Sequence, residues 1–284
     1  MESGVPRRFA FRLFYLGRNF HGIQFQPSPQ VPTIIKTVAE ALQKCGYIAS
    51  AKENNLQFAG RTDKGVNSLA NTIAFTTEQE TFQESLFNDA MPATTCAWAT
   101  AEVSLDFNPR SWAIRREYRY FLPRFGRDAD LDVDLMQSSA TLFLGEHDFK
   151  NFAKPEPGKS TWSSVDESEI TMAEGFYTFR FAARSFVWNQ VRRMVTVLRD
   201  VGAGDLNPDK IREWLDLEEP AAIHPADPEN LVLWDVNYPD SVQFVVKEGY
   251  LKRIWYNLDK EKSDLEKKSR SLAGLLTFKE YWLH

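Results

Sequence analysis

Cysteine is close to absent from this chain of 284 residues: only Cys45 and Cys96 occur, far apart. Such a pair gives no disulfide framework and suits a reducing compartment. Long hydrophobic runs are missing too. None approaches the roughly 18 apolar residues of a membrane span, so no membrane partner is expected. The opening MESGVPRRFAFRLFYLG lacks an apolar core followed by a small-residue cleavage site, so no secretion signal is read and a cytoplasmic location is expected. His21, His147, His224 and His284 stand apart and no Cys-x-x-Cys occurs, so neither a metal site nor a metal cofactor is expected. Low-complexity tracts and internal repeats are also missing. With 43% hydrophobic and 26% charged residues, wholesale disorder is excluded, and the length suits one large domain or two modest ones. Positive charge is in deficit, 34 Lys+Arg against 39 Asp+Glu for a net of −5. Averaged over the chain, that balance argues against a nucleic-acid partner.

What is present is arginine, unevenly placed. Residues 107–127 hold six Arg against one acid, Glu117, and residues 180–199 hold five Arg and no acid, a net of +5 in each window. These 41 residues carry eleven of the nineteen Arg and no Lys, and leave −15 on the other 243. Arginine rather than lysine suits flat, forked contact with phosphate or carboxylate. Both windows also carry aromatics, among them Trp112, Tyr118, Phe186 and Trp188, able to pack inward or to stack on bases. The distribution points to a shared anionic ligand at the two windows, with the acidity left to the outer surface.

Periodicity supplies a coarse layout. Residues 8–16 alternate Phe9, Phe11, Leu13 and Tyr15 on one side and predict a strand. Residues 32–45 place Ile34, Ile35, Val38, Ala41, Leu42 and Cys45 at helical spacing, with Pro32 and Thr33 near the start and Gly46 past the end. Strands are expected at 94–105 and 112–122, and a helix near 134–144. A hairpin is expected at 168–184, split by Gly175. Helices follow at 186–201, with a Val187, Val191, Met194, Val195, Leu198 stripe, and at about 208–217, where Asn207 caps and Pro208 opens the first turn. The tail 240–284 hints at an amphipathic helix through Leu265, Leu272, Leu275 and Leu276, read as a packing or dimer element. The fold class is α+β with sheet in the middle, divided at the acidic stretch 128–134 into halves 1–127 and 128–284.

Between apolar runs at 56–59 and 69–76 lies Gly60-Arg61-Thr62-Asp63-Lys64-Gly65. A phosphate-cradling loop fits poorly, because that pattern wants Ser or Thr after its Lys and Gly65 stands there. A plain hairpin turn fits. So does a catalytic carboxylate on a rigid loop tip, oriented by a nearby cation. Spacing alone does not decide between these two.

The run AGRTDKGVNSLANTIAF (59–75) resembles the signature loop of the TruA family of tRNA pseudouridine synthases, which contains one indispensable aspartate. Five further blocks follow the family's order: FYLGRNFHGIQFQP (14–27), FNPRSWAIRREYRYFL (107–122), GEHDFKNFAK (145–154), SFVWNQVRRMV (185–195) and ADPENLVLWDVNYP (226–239). The resemblance covers roughly residues 10–239, and the last 45 residues fall outside it. Six collinear blocks are far more specific than any one of them. The departures are Ile23 for the usual Trp and Asn67-Ser68 for the usual His-Ala, both beside the family's substrate channel. Lys64 and the Ala-Asn after Leu69 are more similar to archaeal or eukaryotic members than to bacterial ones.

The resemblance implies two RRM-like α/β halves sharing a central, mostly antiparallel sheet flanked by helices, a homodimer, tRNA as partner and no cofactor. The implied activity is isomerisation of uridine to pseudouridine at positions 38–40 of the anticodon stem-loop. The alternatives are another tRNA or RNA target, or a non-catalytic RNA-binding module of the same fold. By the same resemblance Asp63 is the reacting carboxylate and Arg192 its cationic partner. Tyr118 stacks on the uracil, and Val191 forms part of the apolar floor beneath it. Arg61 contacts a phosphate or holds the flipped-out position, and Lys64 lies on the same loop. Arg116, Arg184 and Arg193, from the two windows, are expected to contact tRNA phosphates. Tyr120 is expected in the core, and His147 and Asp148 as structural loop residues.

Overall fold

The computed structural model describes residues 4–26, 31–173 and 175–276, the side chains of 271–276 excepted. Ten strands and six α-helices follow one another in it. They are β1 (Arg7–Tyr15), α1 (Ile34–Lys44), β2 (Gln57–Phe58), β3 (Asn67–Thr77), α2 (Glu84–Ala90), β4 (Thr95–Val103) and β5 (Arg115–Pro123). Then come α3 (Val133–Ala140), β6 (Gly145–Asp148), β7 (Trp162–Ala173), β8 (Phe176–Ala183), α4 (Gln190–Gly202), α5 (Asp209–Leu215), β9 (Leu231–Asn237), β10 (Val245–Val246) and α6 (Glu248–Leu276).

The strands join one sheet in the order β10-β4-β1-β3-β9-β5-β8-β7-β6, with β2 added beside β3. Every pairing is antiparallel except β3 with β9, where Asn67 faces Val232 and Ser68 faces Leu233. That short parallel contact welds the two parts of the sheet, and the site lies beside it. The molecule is therefore an α+β fold with a large, mostly antiparallel sheet flanked by helices.

Alternation along β1 sends Phe9, Phe11 and Leu13 to one face, where they pack with Phe75, Phe82 and Phe87 under α1 and α2. On the other face, Ile254 of α6, with Leu251 and Leu258, closes over Phe14, Cys96 and Trp98. The tail is thus a packing element, whereas Leu272, Leu275 and Leu276 lie outside the described side chains. The second part has its own core of Tyr120, Phe149, Phe179, Met194 and Leu198 beneath α3 and α4. A cut at 127/128 falls within an interleaved architecture: β5 pairs with β8 and β9, while β10 and α6 return to pack on β4.

Three sequence expectations shift. The helix expected from 186 begins only at Gln190, because Asn189 adopts a left-handed conformation (φ 68°) and the Gln190 side chain accepts from the Val187 amide at 2.9 Å. Residues 186–189 are thereby released to line a cleft. The hairpin's first strand starts at Trp162 rather than 168. Pro208 takes the cap position of the next helix in place of the expected Asn207, whose Oδ1 accepts from the Asp209 amide at 3.0 Å from one residue further out.

The arginine windows do not form one basic surface. Strand alternation splits the first: Arg115, Glu117 and Arg119 occupy one face of β5, and Arg116, Tyr118 and Tyr120 the other. On the first face Glu117 bonds Arg119 at 2.8 Å and Arg180 at 3.2 Å, while Glu167 takes Arg115 at 2.7 Å and Arg180 at 2.6 Å. Burial alone would raise the Glu117 carboxyl, but the hydrogen bonds and charges of Arg180 and Arg119 outweigh it and hold it below its ordinary value. Arg124 pairs with Asp130, Arg127 with Asp200 and Asp205, and Arg199 with Asp200. Acidic residues thus neutralise most of the windows instead of sitting apart from them.

Candidate active site

The loop between β2 and β3 is held rigid from below. The Tyr15 hydroxyl and Thr62 Oγ1 are 2.7 Å apart, and Asn71 donates from Nδ2 to the Gly60 carbonyl at 2.8 Å while its Oδ1 accepts from the Gly60 amide at 3.2 Å. Burial pushes the Tyr15 phenol up to about 12, so it remains a neutral hydroxyl in this network. The amide of Ile23 donates to the Thr62 carbonyl at 3.1 Å. Gly22 makes this approach possible: its φ is +82°, and a Cβ there would lie 2.7 Å from the Thr62 oxygen. A Cβ at Gly60 would lie 2.9 Å from Leu233 Cδ2, so a side chain there would require the end of Leu233 to shift on β9.

Above the loop is an open cleft of about 730 Å³, walled by the loop, the beginning of β5 and the segment 184–192. Asp63 projects into it, its side chain 24% exposed. Its Oδ2 lies 3.4 Å from Arg192 Nη1, and its Oδ1 accepts from Trp188 Nε1 at 2.8 Å. Arg192 sits in the first turn of α4 and is anchored by Nε donating to the Ala226 carbonyl at 2.6 Å. The Tyr118 hydroxyl donates to the Arg61 carbonyl at 3.5 Å, and its ring meets Phe186 edge-on at 5.4 Å. Burial raises the Tyr118 phenol well above its ordinary value. Val191 is buried beside it and lines the same cleft. Asp63, Tyr118, Arg192 and Val191, from three separate sequence blocks, therefore meet in one cavity.

The remaining site candidates divide. Arg61 pairs with Glu156 at 2.9 Å and lies over the Trp188 ring, 4.3 Å from its centroid. Lys64 is exposed on an adjoining lobe of about 440 Å³, also lined by Ile23 and Asp63. Arg184 is exposed on the cleft rim and makes no ion pair among the described residues; Arg110 does likewise. Arg116 and Arg193 differ from the expected phosphate contacts. Arg116 is 7% exposed and donates to the main-chain carbonyls of Ala59 at 2.9 Å, Arg110 at 2.7 Å and Arg184. Arg193 donates to the carbonyls of Ala153 at 2.7 Å and Asn151 at 3.2 Å. Both guanidiniums are committed to holding loops, and burial lowers the pKa of each.

Asn67 and Ser68, the departures from the family pattern, likewise pin the frame. Asn67 donates to the Glu229 carbonyl at 2.6 Å, and Ser68 to the Leu233 carbonyl at 3.2 Å. Tyr120 is buried in the core, and Asp148 accepts from the Lys150 amide at 3.1 Å as the cap of a short turn. Trp188, read from the sequence only as an aromatic able to pack or to stack on bases, and Lys154 are not assigned to the site by the sequence; the Lys154 ammonium lies 4.0 Å from the indole centroid. The available signal was Asn189, a residue type that tolerates left-handed backbone, in the middle of an apparent helix.

A carboxylate held between a neutral N–H donor and a guanidinium, over an apolar floor, can attack a carbon or take a proton. A family model described as tRNA pseudouridine synthase matches residues 139–239. The tRNA pseudouridine synthase A of Thermococcus kodakarensis is 34% identical over 278 residues, covering 97% of this chain and 99% of its own. That of Pyrococcus furiosus is 35% identical over 249 residues, covering 87% and 89%, and that of Methanosarcina mazei 35% over 249 residues, covering 87% and 90%. Such identity, sustained along nearly the whole length of both chains, makes this chain a member of the tRNA pseudouridine synthase A family.

Proposed function

We propose that this chain isomerises uridine to pseudouridine in tRNA, at positions 38, 39 or 40 of the anticodon stem-loop. The observation that carries the reading is the Asp63 carboxylate in the cleft, 3.4 Å from Arg192, in a cavity of about 730 Å³ that can hold a nucleoside. The reaction breaks the N1–C1′ bond, turns the base and forms C5–C1′, while the C5 proton leaves and N1 recovers one. Atoms balance without a donor or acceptor. Asp63 acts at the sugar–base junction, as nucleophile on carbon or as base on the ribose. Arg192 places a positive charge beside it, 3.4 Å from Oδ2. Because burial keeps its phenol neutral, Tyr118 serves as a stacking face for the uracil, worth roughly 1–3 kcal/mol. Val191 lies beneath the base.

A stem uridine must be extruded to reach the cleft, and phosphate contacts offset the unstacking. Arg184, Arg110 and Lys159, all exposed on the rim, suit that task, with Lys64 on the adjoining lobe. Arg184→Ala is expected to weaken tRNA binding and to lower the slope of log K against log salt by about one. An unchanged slope in a salt titration of binding removes Arg184 from the footprint. The same reading includes a homodimer in the cytoplasm with one tRNA across both subunits, supported by the family resemblance.

The function itself is tested by incubating the purified protein with unmodified tRNA transcripts and mapping pseudouridine. Product confined to positions 38–40 is expected. Product elsewhere moves the target, and no product on any transcript rejects the reading.

A further inference from the structure

The shortest bond to the Asp63 carboxylate does not come from Arg192. Trp188 Nε1 donates to Oδ1 at 2.8 Å, whereas Arg192 Nη1 is 3.4 Å from Oδ2 and equally 3.4 Å from Asn189 Oδ1. The Arg192 Nε proton is already given to the Ala226 carbonyl at 2.6 Å. Arg192 therefore supplies charge from the edge of hydrogen-bond range, and the tether with good hydrogen-bond length is the indole. An indole N–H is a single donor with no acceptor and no titration near neutral pH, so it fixes a carboxylate without competing for its proton.

The indole is in turn fixed on several sides. Its main-chain carbonyl accepts from the Lys154 amide at 2.8 Å, and the left-handed Asn189 that follows turns the chain into α4. The Arg61 guanidinium and the Lys154 ammonium lie 4.3 Å and 4.0 Å from the ring centroid. Cations over the ring hold it in place and draw electron density from it, which strengthens the N–H as a donor. Arg61 is itself held at 2.9 Å by Glu156.

We propose that Trp188 is the positioning residue for Asp63: its N–H occupies Oδ1 and leaves Oδ2, in the field of Arg192, as the oxygen presented to the substrate. The inference rests on Asp63 being the reacting group. Without the indole bond the carboxylate keeps its charge partner but loses its fixed rotation, and a misplacement of about 1 Å is enough to cost about 10²-fold in rate.

Two variants isolate the N–H. Trp188→Phe keeps an aromatic face, and Trp188→benzothienylalanine keeps the whole bicycle with sulfur in place of N–H. Single-turnover rates at saturating enzyme, tRNA Kd and Tm are measured for both beside wild type and Asp63→Asn. Both variants are expected to lose about 10- to 100-fold in the rate constant, with Kd and Tm close to wild type. A benzothienylalanine enzyme at wild-type rate, with Asp63→Asn inactive, overturns the positioning role and leaves the functional reading intact. A loss that resides in Kd or Tm instead makes Trp188 a structural or binding residue and overturns it equally. An inactive wild type overturns the functional reading itself.

Discussion

Asp63→Asn is expected to lower pseudouridine formation by at least about 10³-fold, because the group lost is at once the general base, ordinarily worth about 10²–10⁴-fold, and the potential nucleophile. The same variant is expected to bind tRNA with an unchanged Kd. Asparagine retains an oxygen that can accept from Trp188 and stay near Arg192, so the loop geometry is preserved. What disappears is the negative charge, and with it both the nucleophile and the base. The loop itself depends on Tyr15, Thr62 and Asn71 rather than on the carboxylate, so Tm should move little. Asp63→Asn with wild-type turnover would sink the mechanism; full binding with no turnover excludes the non-catalytic RNA-binding module, because wild type and variant then differ only in chemistry.

The second large effect is on stability. Arg116→Met is expected to cost about 3 kcal/mol, because three main-chain carbonyls lose a donor at about 1–3 kcal/mol each while the desolvation of a buried guanidinium is relieved. Those carbonyls belong to Ala59, Arg110 and Arg184, so one side chain ties the base of the loop that carries Asp63 to two other walls of the cleft. For a chain of this size Tm should fall by roughly 5 °C. The slope of binding against salt should stay as in wild type, in contrast to Arg184→Ala. A slope reduced by one with an unchanged Tm would return Arg116 to the phosphate footprint. The pair of variants separates arginine used as mortar from arginine used as a ligand, a distinction that counting charge along the chain cannot make.

The elements most legible in the sequence are those whose signal is local. The stripe Ile34, Ile35, Val38, Ala41, Leu42 is buried on α1, which ends before Gly46 at φ +74°. The alternation of Phe9, Phe11 and Leu13 is a strand covered on both faces. Other elements have weak local signals. The helix α2 is seven residues long with only Phe87 and Asn88 buried, and β10 has two residues, both exposed. In the α4 region the stripe from Val187 onward reads as continuous helix, yet the first turn is unwound at Asn189. A tertiary bond, from Trp188 to Asp63 on a distant loop, lies where local propensity pointed elsewhere.

The opening deficit of positive charge illustrates the same division. The net of −5 and its concentration of arginine into two windows are properties of the sequence, as are the six ordered blocks that single out Asp63, Tyr118 and Arg192. Those blocks name side-chain chemistry, and chemistry is carried by residue identity. Which arginines stay available was decided only by the tertiary structure. The pleat of β5 sends neighbours to opposite faces, antiparallel pairing brings Glu117 and Glu167 against Arg180, and burial commits Arg116 and Arg193 to carbonyls. Pairing between residues far apart along the chain leaves no periodic trace in it. The exposed cations of the cleft rim, and the indole bonded to the Asp63 carboxylate, therefore emerge only when the strands and loops meet.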